Sequence, residues 1–539
     1  MISPTTAIPP SSASLHGRFG IAGHVLAWLL ALALLAPLAQ PLLADDGRRN
    51  RDRDDRNRAQ QRGGDRDDER KRGQEKGKQK KQENDRGKPS ADAKNPGGEQ
   101  ERRGADARAA GSRAANLGAD GADSCVVISD DDDDGDDFPF CAGEVMIRFQ
   151  PGKGFADLPT DVQEKITGEL GAIPTRDTFL YGLQTGEGET GIIDKVREAP
   201  GVAAWAELNF VGNAPQGNPS RFFPRTDANQ NAPKPAQTGD SYGRAKIGAD
   251  RAPCVDGRNV RVAVIDTGLD VAHPAFAGRV DGAWNAFDGS ANVQDVGDGV
   301  DNDQAGDDGE GGSQNGLVDE AAGHGTHVAG VVLQAAPRAS VMPIKALDSD
   351  GVGQAFFLAK AIARAVDQNA DVINLSLGAR GESVAVREAV QEALDAGVVV
   401  VAAAGNAGGE DNGAVVAAMP EFPAAMGGVL AIGATDQDDR AAAFSSRYGA
   451  VDLSAPGVAI KSAFPQGEQG VRTRYAAWSG TSMATPWAAG AVALLLHAEP
   501  NLSPDQVADR LATAHDPIVG NGQDMGVGRL DVSEAIACP

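Results

Sequence analysis

The chain has 539 residues, with 76 acidic against 51 basic side chains and a formal net charge of −25. Such acidity favours solubility and argues against nucleic acid as the main partner. A hydrophobic content of 41%, with only 5% of residues aromatic, suffices for a large core of Ala, Val and Leu and excludes a wholly disordered chain.

In chain order, residues 25–43 are apolar, follow His16 and Arg18, and end at Leu42-Leu43-Ala44 before Asp45-Asp46. This is the pattern of a signal peptide (residues 1–44) cleaved near Ala44, and it predicts a protein that is secreted or held in the cell envelope. An uncleaved anchor is the alternative, because the run is nearly long enough to span a bilayer. Pro37 and Pro41 near its end favour cleavage. No other stretch is long and apolar enough to cross a membrane. Residues 45–122 form a charged, low-complexity tract with little to bury, expected to be disordered. Residues 123–142 are an acidic linker flanked by Cys125 and Cys141.

From residue 143 to 212 the pattern is that of a small α+β module. Val145-Met146-Ile147-Arg148-Phe149 alternates like a strand, 160–170 reads as a helix, and 178–184 as a second strand. A helix over 191–199 and a strand over 204–211 close it. A linker rich in Pro, Asn and Gln occupies 213–239.

The remainder, 240–539, carries the chemistry. Val262-Ala263-Val264-Ile265 reads as a buried parallel strand ending in Asp266-Thr267-Gly268, so a carboxylate stands at a strand's carboxyl end. Gly323-His324-Gly325-Thr326-His327-Val328-Ala329-Gly330 starts a helix with two histidines three apart. Val398 to Ala404 is a further buried strand, with Gly405-Asn406 at its tip. In Ser479-Gly480-Thr481-Ser482-Met483-Ala484-Thr485-Pro486 a serine stands where a tight turn gives way to a helix, at the end whose free N–H groups favour negative charge. Alone it reads as one more helix cap.

Together these motifs resemble the subtilisin-like serine proteases (subtilases), in that family's order, over about residues 242–537. The resemblance implies an α/β fold: a three-layer sandwich around a central, mostly parallel sheet. It implies Ser482 as nucleophile, His324 as general base, Asp266 as the group that orients the imidazole, and Asn406 with the Ser482 N–H as the oxyanion hole. The spacing does not choose between His324 and His327; the family pattern assigns the base to His324. Gly351-Val352-Gly353 and Ser376-Leu377-Gly378 resemble the two walls that hold an extended peptide as an added strand, so polypeptides are the implied substrates. The 143–212 module looks like the family's inhibitor-type propeptide, with a ferredoxin-like fold, which would block the cleft in a zymogen until the linker is cut.

No cofactor is expected for catalysis. Asp298-Gly299-Val300-Asp301-Asn302-Asp303 and Asn315-Gly316-Leu317-Val318-Asp319-Glu320 resemble two halves of a calcium loop, with Asp298, Asp301, Asp303 and Asp319 as candidate ligands. A solvated acidic loop has the same composition. Four cysteines in an exported chain suggest two disulfides; Cys125–Cys141 and Cys254–Cys538 fit, and other pairings stay open. Two rival readings compete. Gly480-Thr481-Ser482-Met483-Ala484 nearly matches an esterase elbow, with Asp509 and His515 following. A binding module of inactive protease form is the other, disfavoured by the intact reacting positions.

Overall fold

In the computed structural model the described residues are 127–128, 140–184, 188–213, 234–235, 241–299, 319–411, 414–416, 418–468, 473–520 and 522–538, all within one unit, Gly104–Pro539. The expected signal segment, the charged tract, the acidic run 130–137 and most of the 213–239 linker lie outside them, as do Asp301 and Asp303.

The N-terminal module consists of β1 (Phe140–Phe149), α1 (Thr160–Gln163), β2 (Ile166–Ile173), β3 (Thr178–Leu183), α2 (Glu189–Glu198) and β4 (Ala203–Asn213). Its strands pair antiparallel in the order β4-β1-β3-β2, the β-α-β-β-α-β arrangement of a ferredoxin-like fold. Two expectations change. The helix anticipated over 160–170 stops at Gln163, and residues 166–173 form an edge strand. Gly168 and Gly171 weaken a helix there, and the edge position leaves the strand mostly exposed, without a hydrophobic alternation to betray it. Strand β1 starts at Phe140, inside the stretch assigned to the acidic linker, pairs there with the two-residue strand Val127–Ile128, and buries the disulfide-bonded Cys141.

The rest of the fold runs β5 (Arg261–Asp266), β6 (Trp284–Asn285), α3 (His324–Ala335), β7 (Ser340–Lys345), β8 (Val352–Gln354), α4 (Ala355–Asp367) and β9 (Val372–Leu375). It continues with α5 (Val384–Asp395), β10 (Val399–Ala403), β11 (Leu430–Thr435), β12 (Leu453–Pro456), β13 (Ile460–Ala463) and β14 (Tyr475–Trp478). The last elements are α6 (Thr481–Ala498), α7 (Pro504–Ala512), β15 (His515–Asp516), β16 (Arg529–Leu530) and the one-turn helix Val532–Ala535. Nine strands form one sheet, β15-β16-β12-β11-β10-β9-β5-β7-β6, parallel throughout except for the β15–β16 pair. Both faces are covered, which is why the strands read as unbroken apolar runs. Val262 and Val264 of β5 join the core of α3 and α6, whereas Ala263 and Ile265 join that of α4 and α5. The result is the expected three-layer α/β sandwich. Cys254 and Cys538 are disulfide-bonded, tying the two ends of this region together. Among the described residues no helix is long and apolar enough to cross a membrane.

The module's sheet is packed on both sides. Val145, Ile147 and Phe149 meet Val162, Ile192 and Val196 of its own helices, while Met146, Ile173 and Leu180 share a core with Phe356 and Val386. Polar groups at this interface cap the facing helices. Glu207 accepts from Ser383 Oγ and from the Val384 and Ala385 N–H groups, each at 2.8 Å, at the start of α5. Asn209 Oδ1 accepts from the Phe356 N–H at 3.1 Å at the start of α4. Helix-start donors that would otherwise be orphaned are thus satisfied by the module. Burial pushes the Glu207 carboxyl above the usual range, and these donors oppose that.

His327 faces inward from α3, its Nε2 within 3.0 and 3.2 Å of the Ile460 and Ala476 carbonyls, so it joins α3 to β13 and β14. Burial, with His324 nearby, pushes its protonation down to about 3.

Glu207→Ala leaves three donors without their acceptor, and we expect it to destabilise the intact chain by about 1–3 kcal/mol in denaturant titrations. No change would mean that the caps are replaced by water. For His327 the unfolded chain takes up its proton near pH 6.5 and the folded chain only near 3. Stability is therefore full above about 6.5 and falls as pH drops toward 3, by up to about 1.4 kcal/mol per unit. His327→Gln should flatten that part of the acid-unfolding curve; an unaltered slope would refute a neutral, buried ring.

Candidate active site

Because β5, β9 and β10 run parallel, their carboxyl ends share one edge of the sheet, and the chain delivers Asp266, Ser376 and Asn406 there. Helices α3 and α6 begin at the same edge with His324 and Ser482. Close approach of α3 to β5 requires Gly325: a Cβ at that position would overlap the Gly268 carbonyl oxygen and lie 3.1 Å from Asp266 Cβ.

His324 Nδ1 lies 2.7 Å from Asp266 Oδ1. A carboxylate only accepts, so Nδ1 carries the hydrogen and Nε2 is left to take up a proton. Trp478 packs edge-on against the His324 ring, centroids 5.4 Å apart, and restricts its tilt. Asp266, His324 and Ser482 are all fully buried. Ser482 Oγ donates to the Ser376 carbonyl at 3.0 Å, and Ser376 Oγ donates to the Ser482 carbonyl at 2.9 Å. The second bond has a covalent cause. Pro486, four residues on, has no N–H to give that carbonyl, so a hydroxyl from outside the helix fills the gap. Asn406 Oδ1 accepts from the Thr481 N–H at 2.9 Å and from Thr481 Oγ1 at 3.0 Å. Its orientation is thereby fixed, with Nδ2 the end left to donate.

The two anticipated walls also meet here. Gly351 lies in a turn held by Asp348, whose carboxylate accepts from the Val352 N–H at 2.8 Å and the Asp350 N–H at 3.1 Å. Burial pushes the Asp348 carboxyl up to about 7. Val352 and Gly353 begin β8, and Ser376, Leu377 and Gly378 follow β9. The space between the walls is filled by the module's last strand: Asn213, Gly212 and Val211 pair antiparallel with Val352, Gly353 and Gln354. A Cβ on Gly212 would lie 3.2 Å from the Gly378 carbonyl oxygen on the opposite wall.

Of the four candidate metal ligands, Asp298 and Asp319 are described. The Asp319 carboxylate accepts from the Asp298 N–H at 2.7 Å and the Gly299 N–H at 3.1 Å, so the two halves of the acidic loop come together. Both Asp319 carboxylate oxygens accept from these backbone N–H groups. Among the described residues, no group of three possible ligands converges. The esterase alternative finds no constellation: Asp509 is exposed on α7 and His515 lies on the terminal strand β15.

Sequence reasoning missed Asp295. This buried carboxylate accepts from Thr267 Oγ1 (2.8 Å), the Gly323 N–H (2.9 Å), the Thr326 N–H (2.8 Å) and Thr326 Oγ1 (2.6 Å). It clamps the turn after Asp266 to the start of the His324 helix. Lys345 adds to the clamp, donating from Nζ to the Thr267 carbonyl at 2.7 Å. Asp295 stands in a polar loop far along the chain from these partners, and no motif or periodicity marks it.

Known proteins resemble this chain in sequence and fold. A model described as the subtilase family matches residues 257–529. Thermitase of Thermoactinomyces vulgaris is 35% identical over 306 residues, 55% of this chain and 95% of its own length. Subtilisin E of Bacillus subtilis (strain 168) is 36% identical over 288 residues, covering 52% of this chain; the chain spans 66% of that relative, just under two thirds. Fervidolysin from Fervidobacterium pennivorans, described as a keratinolytic enzyme related to subtilisin, shares the fold, with a TM-score of 0.55 and 24% identity over 74% of this chain and 61% of its own. The matched half of the sequence, near-complete coverage of thermitase and the shared fold agree: this chain belongs to the subtilase family.

Proposed function

We propose that the chain is a secreted serine endopeptidase, made as a latent precursor, that hydrolyses peptide bonds through an acyl-enzyme on Ser482. The observation that carries this reading is the occupied cleft: the chain's own Val211–Asn213 lies between the two walls as an added strand, as an extended peptide substrate would. A substrate held this way brings its carbonyl to Ser482. As Oγ attacks, it surrenders its bond to the Ser376 carbonyl and its proton passes to His324 Nε2. Asp266 stabilises the imidazolium through the 2.7 Å bond at Nδ1. The oxyanion is received by the Ser482 N–H, free at the second residue of α6, and by Asn406 Nδ2. His324 then protonates the leaving amine, and water repeats the sequence in reverse to release the acid.

The module's part in this reading is inhibition. Its last strand excludes substrate, and Glu207 and Asn209 cap α5 and α4 while it is docked. Cleavage within the 213–239 linker by the enzyme itself would begin activation, and removal of the signal segment would place the protein outside the cytoplasm. A structural calcium ion in the loop that joins Asp298 to Asp319 is proposed alongside.

In the processed enzyme, Ser482→Ala and His324→Ala should abolish peptide hydrolysis, and Asn406→Leu should lower kcat by roughly 10²–10³-fold, a magnitude taken from the subtilisins themselves. His515→Ala should retain turnover; loss of turnover there with retention in His324→Ala would overturn the assignment. For calcium, chelation should lower the thermal midpoint of the wild type and leave that of Asp319→Ala unmoved. Equal midpoints with and without chelator in the wild type would dismiss the ion.

A further inference from the structure

A short strand of the linker lies on the peptidase fold itself. Lys234 and Pro235 pair antiparallel with Ala477 and Ala476 of β14, so that β13, β14 and Lys234–Pro235 form a three-stranded sheet. The domain boundary expected at residue 240 therefore cuts through a stretch already joined to the fold. A two-stranded ribbon such as β13–β14 is marginal by itself and leaves an edge open. The added strand covers that edge, and proline, a residue of outer strands, suits its place there.

The ribbon covered in this way is the one that orients the triad. β14 carries Trp478, whose ring meets that of His324, and the Ala476 carbonyl, 3.2 Å from His327 Nε2. It then leads through Ser479 and Gly480 directly into the start of α6 at Thr481 and Ser482. β13 is fastened to α3 by Ser462 Oγ, which donates to the His327 carbonyl at 2.7 Å. Past the short strand, the chain attaches to the same elements again. The Ser241 N–H donates to Gln334 Oε1 at 3.1 Å, and Gln334 Nε2 donates to the Lys461 carbonyl of β13 at 2.9 Å. Tyr242 Oη donates to the Val458 carbonyl, just before β13, at 2.9 Å. Arg244 Nη1 donates to the carbonyls of Gln334 and Ala335, the last residues of α3, where a helix end favours a cation. A Cβ on Gly243 would overlap the Trp487 ring, so the backbone there lies directly against α6.

We propose that residues 234–244 are a strap belonging to the active enzyme: they stay on the peptidase fold when the module leaves, and they hold β14, and through it His324 and Ser482, in place. The inference rests on the peptidase reading and deepens it, because it requires the activating cut to fall after Asn213 and before Lys234. Such a cut frees the strand paired with β8 and leaves the one paired with β14 undisturbed. The strap is a positioning element and touches no reacting atom. Its bonds go to α3, β13, β14 and α6, and none goes to the walls at β8 and after β9 that hold the peptide. Turnover is therefore the quantity it controls, and substrate affinity is not.

Two measurements on the processed enzyme test this. Intact-mass determination gives its first residue, which should precede Lys234; a fully active enzyme beginning at or after Ala236 would overturn the inference. The strap is then severed after folding, through a site-specific protease sequence inserted between Gln237 and Thr238, so that a failure to fold does not enter. Once the freed segment is removed by gel filtration, kcat on a short peptide amide should fall by roughly 10- to 100-fold with KM little changed, since a small misplacement of catalytic groups costs about that much. The inserted but uncut enzyme should match the wild type. Loss of the segment with kcat unchanged would overturn the inference while leaving the peptidase intact; retention of the cut segment through gel filtration would support it. Absence of turnover before cutting, with Ser482 unreactive to a fluorophosphonate, would overturn the peptidase reading and this inference with it.

Discussion

The contact between the end of β5 and the start of α3 governs the site. It brings a strand-end carboxylate to a helix-start imidazole across 58 residues of sequence, and it tolerates no side chain at Gly325. Asp295 and Lys345 hold the same junction from outside, one by accepting four hydrogen bonds and the other by donating to the Thr267 carbonyl. Parallel pairing of β5 with β9, and of β9 with β10, then sets Ser376 and Asn406 at fixed offsets from Asp266. The buried sheet supplies rigidity, and the loops beyond it supply reactive groups, the usual division of labour in α/β folds.

The module exploits that rigidity. Its sheet buries apolar surface on α4 and α5, its acidic and amide side chains cap their starts, and its last strand pairs with β8. In the proposed zymogen the strand would compete with substrate at an effective concentration set by covalent linkage, since module and cleft belong to one chain. Individually the bridging ion pairs, such as Arg176 with Glu392 at 2.8 Å, add little because they are partly exposed. Apolar burial and capped helix ends carry the docking. Under the proposed zymogen reading, the groups that help the peptidase fold are therefore those that keep it silent.

Much of this was legible in the chain itself, for physical reasons. A parallel sheet covered on both faces demands continuous apolar strands, so Val262 to Ile265 and Val398 to Ala404 were evident, with Asp266 and Asn406 at their ends. The edge strand Ile166–Ile173 was misread as helix because little of it is buried. The two histidines of α3 could not be separated by spacing; the fold separates them by partner, Asp266 for His324 and two backbone carbonyls for His327. Asp295 was invisible because it lies in an irregular loop and draws its meaning from segments distant in sequence. Loop residues of that kind leave no periodic trace.

Two propositions stand at the centre: Ser482 is the nucleophile, and the chain's own strand keeps it from substrate. Reaction with a biotinylated fluorophosphonate, located by peptide mass spectrometry, tests both together. A single adduct on Ser482 is expected in the processed enzyme, with little in the intact chain. An adduct on another residue, or equally rapid labelling of Ser482 before and after the module is removed, would contradict them.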